Sequence, residues 1–273
     1  MKKNFTRRSA SIARKLVRDR AYHLLPIYGL LRLSDLANEG VQHSGSFRFA
    51  DHIYVGAASG RTPFGRWLDA RLMSMPAARA FRRRCDGAQR VVRRALERSG
   101  ARTLRVLSVP CGIPRDLVEL TDTLTRERPE LLSRLEYHGM DIDPAAIEAA
   151  RAVAVRCGAA AVRFHRGDAM NERDYPAGSF DVIVSTGLGE FLDDDELAVF
   201  YASVHRVLEP GGIFYTSATA RDRRSDFLLG LAELEVHYRN AGDLTAVLER
   251  GPWRRVLIQV DPTGLQTYVT ATA

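Results

Sequence analysis

Apolar and polar positions follow two different rhythms in the C-terminal part of the chain. Short apolar runs of strand length alternate with stretches in which apolar residues recur every three to four positions, as on one face of a helix. This alternation is typical of a parallel sheet whose strands are connected by helices. The predicted strands are 104–109, 135–141, 161–166, 180–185, 211–218, 254–260 and 266–272. The predicted helices are 114–127, 144–157, 193–208, 223–238 and 243–250.

The last two predicted strands are joined by Asp-Pro-Thr-Gly, residues 261–264, which is a turn sequence. We therefore expect an antiparallel hairpin at the edge of an otherwise parallel sheet. The predicted fold class is α/β, a doubly wound and mostly parallel seven-stranded sheet with an antiparallel C-terminal hairpin and an N-terminal helical extension.

The N-terminal part of the chain has a predominantly helical rhythm. It predicts helices over 7–20, 63–73 and 76–98, and a second apolar helical stretch, 22–37, interrupted by Pro26 and Gly29. Phe47–Val55 alternates like a short strand within a Gly- and Ser-rich segment. Gly100 is expected to end the long helix. We predict a basic helical cap or lid over 1–102 and an α/β domain over 103–273.

Charge is divided unevenly between these two parts. Residues 1–102 contain 22 Lys and Arg against 7 Asp and Glu, a net of +15, and residues 103–273 contain 18 against 26, a net of −8. The two values add up to the net charge of +7. Such asymmetry is typical of an anionic partner such as nucleic acid or a lipid surface, or of a basic half that docks on an acidic one.

Several classes of protein are not expected from this sequence. It has no apolar run of about 18 residues, so no membrane span is predicted. The basic N-terminus lacks the apolar core of a secretory signal. The cysteines Cys85, Cys111 and Cys157 are widely spaced, without Cys-x-x-Cys or His-rich spacing, so neither disulfides nor a metal site is predicted. A reduced, cytoplasmic location is the expectation.

Acidic residues follow two of the predicted strands. Asp141 ends the second strand, and Asp168 comes just after the third. Ligands of open α/β sheets bind beyond the carboxyl ends of the strands, where the strand order reverses. Asp141 is placed to accept hydrogen bonds from two ribose hydroxyls, and Asp168 to accept one from the amino group of an adenine.

Five segments in order resemble the class I S-adenosylmethionine (SAM)-dependent methyltransferases, from about Leu104 to the C-terminus. They are LRVLSVPCGIPRDL (104–117), YHGMDID (137–143), RFHRGDAM (163–170), SFDVIVST (179–186) and the helix and Pro-Gly-Gly turn before the fifth strand (192–218). The resemblance implies SAM as cofactor. It implies a cofactor site formed by Ser108, Pro110, Cys111, Gly112, Asp141, Ile142, Asp168, Ala169 and Ser185.

The first loop departs from the family's usual acid-x-Gly-x-Gly-x-Gly. Here it runs from Ser108 to Pro114, and only the central glycine, Gly112, is kept. Pro110 and Pro114 exclude positive φ at two glycine positions and remove two N–H donors. Ser108 also replaces an acid that would be a partner for a cofactor ammonium. We expect a stiffer loop and cofactor binding of modest strength.

The acceptor is less well defined by the sequence. The segment after the fourth strand, STGLGE (185–190), lacks the Asn/Asp-Pro-Pro-aromatic motif associated with amino methylation of nucleic acid bases or proteins. A small-molecule or lipid acceptor is therefore favoured. An RNA methyltransferase that uses the basic N-terminal region, and a catalytically inactive binding or scaffold protein, remain the alternatives. The candidate catalytic residues are His52, Tyr54, Glu190 and His237.

Overall fold

The chain divides into two compact units, and the border between them falls within one long helix. The computed structural model describes residues 9–43, 45–159, 161–223, 226, 230 and 235–273, with the side chains from residue 12 onward. Unit 1 comprises Met1–Arg82 and Arg221–Val236, and unit 2 comprises Arg83–Ala220 and His237–Ala273. The functional border placed by the sequence after residue 102 stays a prediction.

Unit 1 is helical over most of its described length. Its helices are α1 (Ser9–Arg18), α2 (Leu25–Leu31), α3 (Asp35–Gln42), α4 (Phe47–Val55) and α5 (Pro63–Met73), followed by the first residues of α6 (Pro76–Arg98). The predictions for α5 and α6 are confirmed. The predicted stretch 22–37 is divided into α2 and α3, with Pro26 in the first turn of α2, where proline is tolerated.

The strand predicted over Phe47–Val55 is wrong, because this segment forms α4. Ser46 caps the helix by accepting the N–H of Phe49, and Gly56 ends it with a left-handed φ of 68°. Phe49 and Ile53, four residues apart, pack on one face against the buried cluster of Leu36, Met73 and Ala78. A short apolar run fits either period, and here the caps at both ends favour the helix.

A buried carboxylate, Asp69, connects the helices of unit 1. Its Oδ1 accepts hydrogen bonds from Ser34 Oγ at 2.6 Å and from Leu36 N at 2.8 Å. Its Oδ2 accepts one from Ser59 N at 3.1 Å and lies 2.8 Å from His52 Nε2. Burial alone would raise the pKa of Asp69, but these hydrogen bonds lower it to about 2. The hydrogen bond to Asp69 in turn raises the pKa of His52.

Unit 2 contains a seven-stranded sheet. Its strands are β1 (Leu104–Ser108), β2 (Leu135–Asp141), β3 (Val162–Arg166), β4 (Phe180–Thr186), β5 (Leu208–Thr219), β6 (Arg255–Val260) and β7 (Gln266–Thr272). The spatial order is β3-β2-β1-β4-β5-β7-β6. Strands β1 to β5 pair in parallel, and β7 is antiparallel to both of its neighbours. The predicted fold class and the C-terminal hairpin are confirmed.

Helices cover both faces of this sheet and form two buried cores. The helices that follow α6 are α7 (Arg115–Glu127), α8 (Pro129–Leu132), α9 (Pro144–Arg156), α10 (Asp194–Arg206) and α11 (Ala241–Leu248). On one face, α6 and α7 pack on β1, β2 and β4. On the other, α10 and α11 pack on β4, β5 and β7. Most of the predicted helix 223–238 lies outside the described residues, and positions 235–238 are irregular.

The side chain of Tyr215 on β5 reaches the backbone of α6 at Gly87. A Cβ atom at this position would be 1.9 Å from the hydroxyl oxygen of Tyr215 on β5. That hydroxyl donates a hydrogen bond to the carbonyl of Arg84, one turn earlier in α6, at 3.2 Å. The glycine therefore permits the contact that sets the position of Arg84.

We expect Asp69→Ala to destabilise the protein by about 3–5 kcal/mol, because removing one partner of a buried pair leaves the others uncompensated. Urea unfolding followed by circular dichroism measures the loss. Asp19→Ala is the matched control, since Asp19 forms an exposed pair with the adjacent Arg18 and should change stability by less than about 0.5 kcal/mol. Equal effects of the two substitutions would contradict the role of Asp69.

Candidate active site

The carboxyl ends of the central strands converge at one edge of the sheet. Ser108, the last residue of β1, is aligned with Gly139 on β2 and with Val184 on β4. Because β2 and β4 lie on opposite sides of β1, the strand order reverses here. In open α/β sheets this position forms the crevice in which ligands bind.

The loop between β1 and α7 is fixed to the end of β2 by its own backbone. Cys111 N donates to the carbonyl of Met140 at 2.9 Å, and Gly112 N donates to Oδ2 of Asp141 at 2.9 Å. Gly112 has a left-handed φ of 49°, which glycine adopts readily. The bond between Val109 and Pro110 is cis. Pro114 directly precedes α7.

Asp141 is ordered by two backbone donors and keeps further acceptor capacity. Its Oδ1 accepts from Asp143 N at 3.0 Å, and its Oδ2 accepts from Gly112 N. A carboxylate has about four acceptor positions, so about two remain for hydroxyl donors. Burial raises the pKa of Asp141, which is only 8% exposed. Beside it, Ile142 exposes 56% of its surface, an apolar area on which a base can stack.

The loop after β3 presents a second carboxylate. Oδ1 of Asp168 accepts from Met170 N at 2.9 Å, and Asp168 N donates to Asp174 Oδ2 at 2.9 Å. The hydroxyl of Tyr175 donates to the carbonyl of Ala169 at 2.8 Å. Within the described residues, Oδ2 of Asp168 has no hydrogen-bond partner. This oxygen can accept a hydrogen bond from an exocyclic amino group.

The geometry of Asp141, Ile142 and Asp168 is compatible with the SAM site that the sequence predicts. Asp141 offers acceptors for a ribose diol, Ile142 an apolar surface, and Asp168 an acceptor for an adenine amino group. Gly139 lies behind the loop, where a Cβ would be 3.0 Å from Cys111 Sγ, so the loop packs closely on β2. Ser185, at the end of β4, is buried.

Beyond β4, the candidate residue Glu190 is held in a buried ion pair. Its Oε1 and Oε2 are 3.1 and 3.4 Å from Nη1 of Arg84, whose side chain is 3% exposed. The hydroxyl of Thr219 donates to Oε1 at 2.5 Å, and Gln266 Nε2 donates to the Thr219 oxygen at 2.6 Å. This network joins α6, the loop after β4 and the ends of β5 and β7.

A second buried arginine, Arg239, holds the same loop from another side. Its Nη1 and Nη2 donate to the carbonyls of Gly189 and Leu192, both at 2.6 Å, and its Nε donates to Asp194 Oδ1 at 2.8 Å. Sequence reasoning missed both arginines. Nothing in the local sequence distinguishes them from the many other arginines of this chain.

The candidate catalytic residues fall into two groups. His237 lies near Glu190, since its backbone N–H donates to the Glu190 carbonyl at 2.7 Å, and its side chain is exposed. His52 and Tyr54 belong to unit 1, where His52 pairs with Asp69 and the Tyr54 ring is 5.1 Å from that of Phe81. Their catalytic roles stay predictions.

Two negative findings concern the part of the chain that the structure describes. There, no group of three or more His, Cys, Asp or Glu side chains is arranged to hold a metal ion. No described helix is long and apolar enough to cross a membrane.

The family model of a methyltransferase domain matches residues 106–212, from within β1 to within β5. No curated protein matches the chain. A possible exported protein from Bordetella parapertussis is 20% identical, covers 91% of this chain and 86% of its own, and has a TM-score of 0.73.

Two solved methyltransferases share the fold. The CurJ carbon methyltransferase is 18% identical, with a TM-score of 0.60, over 97% of this chain and 70% of its own. Magnesium protoporphyrin IX methyltransferase from Synechocystis with bound SAH is 12% identical, with a TM-score of 0.54, over 81% of this chain and 93% of its own. At these identities the likeness concerns the fold, and the family match covers the strands that form the candidate site. Residues 106–212 thus match a methyltransferase domain, and the two solved methyltransferases share the fold of the chain.

Proposed function

We propose that the chain transfers a methyl group from SAM to a small-molecule or lipid acceptor. The observation that carries the cofactor part is the double hydrogen bonding of Asp141, which fixes the β1–α7 loop and leaves acceptors for a ribose. When bound, SAM supplies an electrophilic sulfonium methyl group. The chain contributes orientation of the reactants and exclusion of water.

The acceptor class is supported by the loop after β4. In place of an Asn/Asp-Pro-Pro-aromatic motif it has a turn closed by Arg84, Glu190 and Arg239. The carboxylate of Glu190 is bound by Arg84, and the carbonyls of Gly189 and Leu192 are bound by Arg239. These groups therefore serve to shape the loop. Magnesium protoporphyrin IX methyltransferase, which shares the fold, has a small-molecule acceptor.

Because Arg84 and Thr219 occupy the carboxylate of Glu190, we assign Glu190 to loop anchoring. His237, with an exposed side chain, is the better candidate within unit 2 for accepting a proton from the acceptor. The RNA alternative and the cytoplasmic location stay predictions.

A second candidate function is a scaffold protein that has lost catalysis, and the altered loop from Ser108 to Pro114 favours it. Two of the remaining N–H groups of the loop, those of Cys111 and Gly112, nevertheless bind the end of β2. This ordered geometry supports an adapted cofactor loop over a relic.

We expect Asp141→Asn to weaken binding of SAH, the demethylated cofactor, by at least about tenfold, because a charged hydrogen bond contributes about 1.5–3 kcal/mol. Isothermal titration calorimetry measures the affinity. Asp143→Asn is the control, since Asn retains the N-cap of α9 that Asp143 provides. Equal affinities of a folded Asp141→Asn protein and the wild type would exclude Asp141 from the site.

We expect the triple variant Ser108→Asp, Pro110→Gly, Pro114→Gly to bind SAM no more tightly than the wild type. Glycine increases the freedom that the loop loses on ordering, which offsets the restored donors. Calorimetry with SAM tests this, and Ser108→Asp alone separates the acid from the prolines. A gain of more than tenfold, about 1.4 kcal/mol, would support the scaffold function instead.

A further inference from the structure

A carboxyl group lies close to the altered loop and has no established role. Asp116 is in the first turn of α7, two residues beyond Pro114. Its Oδ1 accepts a hydrogen bond from the hydroxyl of Tyr137 at 3.5 Å. The hydroxyl of Ser108, the residue at the family's acidic position, lies beside that of Tyr137 and acts to lower the Tyr137 pKa, which burial raises. Asp116 is therefore connected to position 108 through one buried tyrosine.

Several uncharged or negative groups interact with Asp116. They are Tyr137 from β2, the thiols of Cys85 on α6 and Cys111 in the loop, and Glu119 one turn later on α7. Asp116 forms no salt bridge with any described residue. It is only partly exposed. A carboxylate in such surroundings is stabilised by a cationic ligand, because an opposite charge offsets its desolvation.

The protonation equilibrium of Asp116 agrees with an unpaired carboxylate. Burial raises the pKa of this side chain to about 6, although the N–H groups of Leu117 and Asp116 and the Tyr137 hydroxyl act in the opposite direction. A carboxylate that served only to cap α7 in contact with solvent would keep an ordinary or lower pKa.

We propose that Asp116 binds the α-ammonium group of the methionine part of the cofactor, in place of the acid that is absent at position 108. The assignment rests on the cofactor site proposed above. The side chains at 108 and 116 both lie beside the Tyr137 hydroxyl, so a carboxylate from α7 reaches the region that an acid at the end of β1 would occupy. In this proposal the acidic partner of the ammonium lies eight positions later in the chain than the family's usual acid, on the same fold.

The test compares two ligands that differ by the ammonium group alone. One is SAH, and the other is its deamino analogue, the adenosyl thioether of butanoic acid. Calorimetry should show that Asp116→Asn weakens SAH binding by tenfold or more, about 1.4 kcal/mol per tenfold. The same substitution should leave the affinity for the deamino analogue within about twofold.

Asp122→Asn is the matched control on the same helix. Asp122 forms an exposed pair with Arg126 and should change the affinity for neither ligand. If Asp116→Asn weakens both ligands equally, Asp116 only shapes the loop, and the assignment is overturned while the cofactor site stands. If the wild type binds neither ligand, the cofactor site itself fails, and the assignment fails with it.

A measurement on the unmodified protein covers the case in which Asp116→Asn does not fold. The ammonium of SAH stays charged between pH 5 and 7, whereas Asp116 becomes protonated below about pH 6. Wild-type affinity for SAH should therefore fall from pH 7 to pH 5, and that for the deamino analogue should fall less. Parallel pH profiles of the two ligands would overturn the proposal.

Discussion

The edge of the sheet at the carboxyl ends of β1 and β2 depends on one carboxylate that accepts hydrogen bonds from two segments of backbone. Asp141 ends β2, receives the N–H of Gly112 from the β1–α7 loop, and receives the N–H of Asp143 from its own loop. Two loops that are distant in sequence are thereby fixed before any ligand arrives. Preorganisation of this kind lowers the entropy cost of binding. The hydrogen bond from Gly112 to Asp141 also adds to the stiffness that Pro110 and Pro114 give this loop.

The segment between β4 and α10 is organised by charge pairing instead. Arg84 and Arg239 are both buried, and each binds the segment between β4 and α10, one through the Glu190 side chain and the other through backbone carbonyls. Burying such groups carries a desolvation cost that their mutual attraction only partly offsets. The gain lies in geometry, since a guanidinium with several fixed donors holds a loop in one conformation. The loops around Asp141 and the segment after β4 are thus held in place by different kinds of interaction.

The sequence predicts most of the fold because apolar runs and turn residues mark the strands directly. All seven strands and the order of Asp141 and Asp168 along the edge follow from local patterns. The helix at Phe47–Val55 was mistaken for a strand because nine residues are too few to separate the two periods. Partners such as Arg84 and Glu190 are 106 positions apart, and no local signal relates them. The assignment of Asp141 and Asp168 to SAM binding stays a prediction.

The absence of a side chain at Gly87 limits which substitutions the sequence can accept at this position. Since even one methyl carbon would collide with the Tyr215 hydroxyl, the distance between α6 and β5 is set by the Tyr215 side chain against the backbone of α6. Arg84 is one turn away on the same helix, so its reach to Glu190 depends on that spacing. A substitution at position 87 therefore also affects the loop after β4. A larger residue at position 87 requires a smaller one at 215, and the two positions are expected to change together.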